Sequence, residues 1–390
     1  MKIGVDATCW LLPRGFGRHA RCLLTALAEV DTANEYVFFT DAPDAVPVIA
    51  AIAPVQLVRT SAPTVDAASA NSRRAMADLL AMSRAMADRS IDVLLFPTVF
   101  SYVPVWSRAR KVILFHDVTA ERFPELTLDN RRARWFWRAK IALARQQADV
   151  IGTVSDYSRR LLARQFRIDS ERVHVVGEAA DRIFRRLESP RPTERLAAVG
   201  FTGARRAIVY VGGFSPHKNL RALVDAFGHL ADGPSYAGVD LILVGGYEQE
   251  TFFTCYREIR DRVNELGLGD RVRFTGFLPD EDLVALLNLA DVLVLPSKME
   301  GFGLPAIEAA ACGCPVIATT ESPLPGLLGE AGLFIDPFDP AALERALESV
   351  LSSPDRREAM RRAGLSAAAK LTWTAAARDL LALMTRAASP

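Results

Sequence analysis

Cysteine is scarce in this chain. Five thiols, Cys9, Cys22, Cys255, Cys312 and Cys314, are spread over 390 residues, too few and too scattered for a disulfide framework. Cys312 and Cys314 stand one residue apart in an apolar stretch without a second ligand pair, which favours two small buried side chains over zinc. An excess of charge of either sign is missing too: 47 Lys and Arg offset 46 Asp and Glu, leaving a formal net charge of +1. No global attraction to nucleic acid is expected. No apolar run approaches the roughly 18–20 residues of a membrane span, and residues 1–7 (MKIGVDA) enter a strand pattern without a signal-peptide pattern. The default expectation is a cytoplasmic protein. What the chain does have is a large apolar content, 50%, and length for two or three domains of roughly 100–200 residues each.

Short apolar runs alternate with longer helical patterns throughout. Strands are expected at 2–6, 36–40, 55–59, 92–96, 111–115, 149–154 and 173–176, then at 207–211, 240–244, 271–275, 291–295, 315–318 and 333–335. Such alternation predicts an α/β fold, parallel sheets covered by helices on both faces, with ligands at the carboxyl ends of strands. Residues 188–195 (ESPRPTER) are polar with two prolines and form the expected boundary between a domain at 1–190 and a second at 196–370. Residues 365–389 read as one Ala- and Leu-rich helix containing Trp373, with a separate tail over 371–390.

The stretch that carries most chemistry is 297–316, SKMEGFGLPAIEAAACGCPV. An apolar strand precedes it, Gly301 and Gly303 make a turn, and Pro305 begins a helix. Free N–H groups and the positive dipole end at such a helix start suit a phosphate. Glu300 and Glu308 flank the loop, and side chains lean toward a helix N-terminus, so Glu308 points back at the loop. Carboxylates repel phosphate but accept hydrogen bonds from sugar hydroxyls. The combination suggests a nucleotide sugar: diphosphate on the loop amides, ribose on Glu308, transferred sugar near Glu300. Either acid alone is equally well read as a solvated helix-start residue.

Other stretches carry weaker signals. Gly15, Phe16, Gly17 and Arg18 lie in an expected loop over 11–19 ahead of a helix from about Arg18, either an anion site or a plain tight turn. His116 and Asp117 stand where a strand runs out, a position that suits a site residue as much as a structural one. Residues 207–220 (AIVYVGGFSPHKNL) read as strand, glycine turn with Gly213, then His217 and Lys218 at a helix start, where an ammonium beside a leaving diphosphate would stabilise developing charge. Gly245 and Gly246 end another strand and suggest close backbone approach to a ligand. Ser155 is an N-cap. Asp280, Glu281 and Asp282 follow Pro279 at a helix start, where acids favour the dipole, and are read that way rather than as metal ligands. Residues 129–147 interleave Arg131, Arg132, Arg134, Arg138, Lys140 and Arg145 with Trp135, Phe136 and Trp137. Either the aromatics pack on the sheet while the arginines stay solvated, or the helix seats on an anionic membrane surface.

The two glutamates seven residues apart around GFGLP resemble the mark of the retaining GT-B glycosyltransferases of family four. The resemblance is strongest over the second half of the chain and implies two Rossmann-like domains facing across a cleft, with the last helix crossing back to the first. It also implies a metal-independent hexosyltransferase without a cofactor. Phosphate would be held by Lys218 and the amides of Gly301, Phe302, Gly303 and Leu304; Glu300 and His116 would orient the sugar and Glu308 the ribose. GFGR matches a GIGR-like loop near donor phosphates and acceptor, Ser155 stands where a phosphate-side serine is found, and Phe277 and Leu278 stand where the base is held. Two departures are visible: Gly213 and Phe214 occupy the usual place of an arginine, leaving His217 as the only second basic group, and Glu178 replaces an asparagine. The pattern is similar to bacterial mannosyltransferases that use GDP-mannose in polysaccharide or O-antigen assembly, with a glycan or polyprenyl-linked acceptor at the inner membrane face. UDP-linked sugars, a sugar-nucleotide 2-epimerase and a non-catalytic nucleotide-sugar binder are the competing readings.

Overall fold

A computed structural model of the chain describes residues 1–12, 15–64, 75–247 and 253–389. The chain divides into two compact units, one made of Met1–Glu178 and Thr372–Pro390, the other of Ala179–Leu371. Each is built on one all-parallel sheet.

In the first unit seven strands run β1 (Lys2–Asp6), β2 (Glu35–Thr40), β3 (Val55–Leu57), β4 (Val93–Phe96), β5 (Arg110–Leu114), β6 (Val150–Thr153) and β7 (Val173–Val175), in spatial order β3-β2-β1-β4-β5-β6-β7. Their middles are apolar and without solvent exposure, as strands covered on both faces require: Ile3, Val5, Val93, Leu95, Val112 and Ile113 are all 0% exposed. The second unit has six, β8 (Arg206–Val211), β9 (Val239–Val244), β10 (Val272–Gly276), β11 (Val292–Leu295), β12 (Val316–Thr319) and β13 (Gly332–Ile335), in order β10-β9-β8-β11-β12-β13. Both are doubly wound sheets whose order reverses once, between β1 and β4 and between β8 and β11. The crevice outside that reversal is where such sheets bind ligands.

Three boundaries differ from those expected. Residues 179–190 belong to the second unit rather than the first, because Asn288 holds that backbone: its Oδ1 accepts from Leu187 N at 2.8 Å and its Nδ2 donates to Arg185 O at 2.9 Å. The first helix starts at Gly15 rather than Arg18. A Cβ at position 17 would sit 1.9 Å from the Leu12 carbonyl oxygen, so the glycine that argued for a loop is what lets the helix abut the preceding turn. The tail is two helices, Pro354–Ala368 and Trp373–Ala388, the second started by Thr372, whose side chain accepts from Ala375 N. That last helix packs on helix Gly15–Val30 and belongs to the first unit.

Candidate active site

At the reversal of the second sheet, the loops after β8 and β11 are fastened together. Lys298 N donates to His217 O at 2.8 Å. Asn219, in the left-handed region at φ 58°, donates from Nδ2 to Pro296 O at 3.2 Å and Pro337 O at 3.3 Å. Across this junction Lys218 Nζ lies 2.7 Å from Glu300 Oε1, and Ser297, fully buried, donates from Oγ to the same oxygen at 2.6 Å. Two side chains 82 residues apart in sequence are therefore one group. Burial pushes the Glu300 carboxyl up, but the Lys218 ammonium and the hydrogen bonds from Lys218 and Ser297 outweigh it and hold the group below its ordinary value.

Beyond Glu300 the chain turns through Gly301, Phe302 and Gly303 into helix Leu304–Ala311. Gly303 caps it at φ 85°, and no side chain caps the terminus. Glu308 is 3% exposed, one turn inside that helix, between Ile307 and Ala309, both 0% exposed. A carboxylate at such a depth is unusual and is held only with polar partners.

Other expected donor residues fall around the same sheet end. Gly213 O accepts from the Tyr210 hydroxyl at 2.6 Å. Leu278 is buried and Phe277 is 55% exposed after the φ 70° turn at Gly276. At Gly245 a Cβ would meet Gly212 O at 1.9 Å, so the backbone after β8 by itself requires glycine there. Asp280, Glu281 and Asp282 occupy the first turn of helix Asp280–Leu289, and Asp282 pairs with Arg195 at 3.2 Å.

In the first unit the GFGR residues form the first turn of helix Gly15–Val30. The Phe16 ring stacks on Phe100 at 5.6 Å and meets the His116 ring edge-on at 5.1 Å. His116, 8% exposed, has Nε2 on Pro97 O at 2.9 Å and Nδ1 3.7 Å from Glu178 Oε1. His19, fully buried, packs beside it with ring centroids 4.3 Å apart, its Nδ1 2.6 Å from the same Glu178 oxygen. Burial holds His19 down to about 3; burial, with His19 alongside, holds His116 down to about 4. Both rings are neutral at pH 7. Ser155 caps helix Asp156–Phe166, accepting from Ser158 N at 3.1 Å.

Sequence reasoning missed Ser297, Asn219 and His19. A serine three residues before Glu300 and an asparagine right after Lys218 were local signals for the first two; nothing local ties His19 to residues 97 and 159 positions away.

Helix Arg131–Gln147 buries only Ile141 and Ala144. Trp135 and Phe136 are 64% and 51% exposed, with ring centroids 5.1 Å apart, so these two do not pack on the sheet. Trp137 is half-buried, donating from Nε1 to Glu121 Oε1 at 2.8 Å.

Residues 194–366 match the family described as Glycosyl transferases group 1, and residues 13–182 match Glycosyltransferase Family 4. The chain is 31% identical over 268 residues to the O-antigen chain mannosyltransferase B of Escherichia coli, spanning 68% of this chain and 67% of that protein. It is 30% identical over 243 residues to a D-inositol 3-phosphate glycosyltransferase of Corynebacterium efficiens, spanning 62% of this chain and 57%, less than two thirds, of the relative. Among solved structures, Anabaena HepE in complex with UDP and glucose superposes with a TM-score of 0.74 at 18% identity, over 99% of this chain and 100% of that one. That likeness is one of fold.

Proposed function

This chain belongs to the family-four glycosyltransferases of GT-B type, and from that premise we propose that it moves mannose from GDP-mannose to a glycan or lipid-linked glycan acceptor with retention of configuration. The observation that carries the reading is the Lys218–Glu300 pair, set where the second sheet reverses and beside an uncapped helix N-terminus. When the donor binds, Lys218 and the amides of the loop 301–304 take the diphosphate. Glu300, released from the ammonium, accepts from sugar hydroxyls, and Glu308 from the ribose. The bond from the anomeric carbon to the diphosphate oxygen breaks, the acceptor oxygen bonds that carbon on the same face, and the acceptor's proton passes to the departing diphosphate. Lys218 offsets the developing charge, so no metal is called for. Gly213, His217, Phe277 and Leu278 would border the donor; Phe16, Arg18 and His116 would serve sugar or acceptor, with Ser155 on the phosphate side.

A UDP-linked donor is the second reading, favoured by the fold neighbour solved with UDP and glucose. The acceptor side is supported by helix Arg131–Gln147, whose exposed Trp135 and Phe136 stand among arginines, a composition suited to an anionic inner-membrane surface.

The test is incubation of the full chain with labelled GDP-mannose or UDP-glucose and a bacterial inner-membrane fraction. The expected result is label in the lipid-linked glycan from GDP-mannose, with the anomeric configuration of the donor kept. An epimerised free sugar nucleotide, or donor binding without turnover and with Glu300→Gln changing affinity alone, overturns it.

A further inference from the structure

We infer that His19, His116 and Glu178 form a binding site for one divalent transition-metal ion of the zinc class, held wholly within the first unit. The three residues come from separate elements: helix Gly15–Val30, the end of β5 and the segment after β7. All three are buried, and one ligand atom from each can be chosen so that all lie within 4.8 Å of one another.

The donor set fits such an ion. Two imidazoles and one carboxylate, with a fourth position left for solvent or ligand, is a zinc set; oxygen-seeking magnesium and calcium are disfavoured by two nitrogens. The spacing fits as well. Ligand bonds of about 2.0–2.2 Å in a tetrahedron set donors about 3.3–3.6 Å apart, and the observed separations from Glu178 Oε1, 2.6 Å to His19 Nδ1 and 3.7 Å to His116 Nδ1, straddle that value.

Two features point to a ligand rather than to a self-satisfied cluster. His116 Nε2 faces the Pro97 carbonyl at 2.9 Å, which as an acceptor fixes the proton on Nε2 and turns the lone pair of Nδ1 inward. A metal-bound histidine is usually oriented by such a second hydrogen bond. His19 is completely buried, yet among the described residues neither of its ring nitrogens has a hydrogen-bond partner. Its 2.6 Å approach to Glu178 lies in ion-pair range but lacks hydrogen-bond geometry. A buried imidazole left this way costs about 1–3 kcal/mol, and a coordinated cation removes that cost.

This inference does not rest on the donor-binding part of the sugar-nucleotide reading, which concerns the second unit's loops; it shares His116 with the sugar or acceptor side, and there a bound ion would take the Nδ1 lone pair of the imidazole. The two can fail separately.

The test uses the full chain, stripped with chelator and titrated with CoCl₂ and ZnCl₂. Expected are one ion per chain by calorimetry, visible cobalt absorption of a low-coordinate nitrogen and oxygen site, and a rise in melting temperature with zinc. Glu178→Gln keeps the side chain's shape and should keep the far-ultraviolet circular dichroism while weakening zinc at least tenfold. His19→Gln should do the same; if it does not fold, Glu178→Gln still decides. Absence of cobalt absorption, a thiolate-to-cobalt band marking cysteine ligation, or undiminished binding by Glu178→Gln overturns the site.

Discussion

Lys218 Nζ and Glu300 Oε1, 2.7 Å apart, join the two loops at the reversal of the second sheet. Neither residue is more than about a quarter exposed, with Lys218 at 24% and Glu300 at 13%. Removing one leaves the other's charge partly desolvated. Lys218→Met should therefore cost about 1–2 kcal/mol of stability, less than a fully buried pair because water still reaches it. It should also lower kcat by about 10²–10³. Thermal unfolding and steady-state rates check both, and a double-mutant cycle with Glu300→Gln should show the two changes to be non-additive.

Glu121 supplies a pH dependence. Burial raises its carboxyl to about 7 despite the hydrogen bond from Trp137. A folded value above the ordinary one means folding favours the protonated form. Below about pH 4.5 the acid is protonated in both states and costs nothing. As pH rises from there to 7, the folded state loses stability, and above 7 the loss is complete. Glu121→Gln should thus be more stable than the parent at pH 8 by an amount of order 2–3 kcal/mol, with the advantage gone near pH 4. Denaturant melts at the two pH values measure it.

Gly303 holds φ 85°, and a Cβ there would come within 2.8 Å of Leu324 Cδ1. Gly303→Ala should cost about 1–3 kcal/mol and weaken nucleotide binding with it, since the same turn sets the helix start. Gly246→Ala is the control: among the described residues nothing lies within 4 Å of its added Cβ, and it should stay within about 0.5 kcal/mol of the parent.

Trp135 and Phe136 form an exposed aromatic pair on a helix with arginines on either side. Sedimentation with vesicles rich in anionic lipid should bring the protein down, and the double variant Trp135→Ser, Phe136→Ser should lose most of that binding without a change in melting temperature. Equal binding by the variant would remove the membrane role.

Much of the fold was legible because both sheets are parallel and buried on two faces, so runs such as VLVL at β11 and VLLF at β4 carry no polar interruption. Their ends were less so, since a strand's first and last residues are set by neighbours rather than by composition; β5 begins at Arg110, outside its apolar run. The helix start at Gly15 was hidden because glycine argues against helix locally, while the Leu12 carbonyl, 1.9 Å from a Cβ at position 17, leaves room there for glycine alone. The break at residues 369–372 was hidden by alanines on both sides, Thr372 being the only cue. In the site, GFGLP and the lysine were readable as local patterns. The contact between Lys218 and Glu300 was not, because it depends on β8 and β11 being neighbours, nor was the meeting of His19 with Glu178.

Binding of a nucleotide diphosphate by the second unit's loops is tested most directly by calorimetric titration of the full chain with GDP and with UDP. The expected result is one site per chain that prefers GDP, weakened at least tenfold by Lys218→Met, about 1.4 kcal/mol or more. No binding of either nucleotide, or binding that Lys218→Met leaves unchanged, would contradict it.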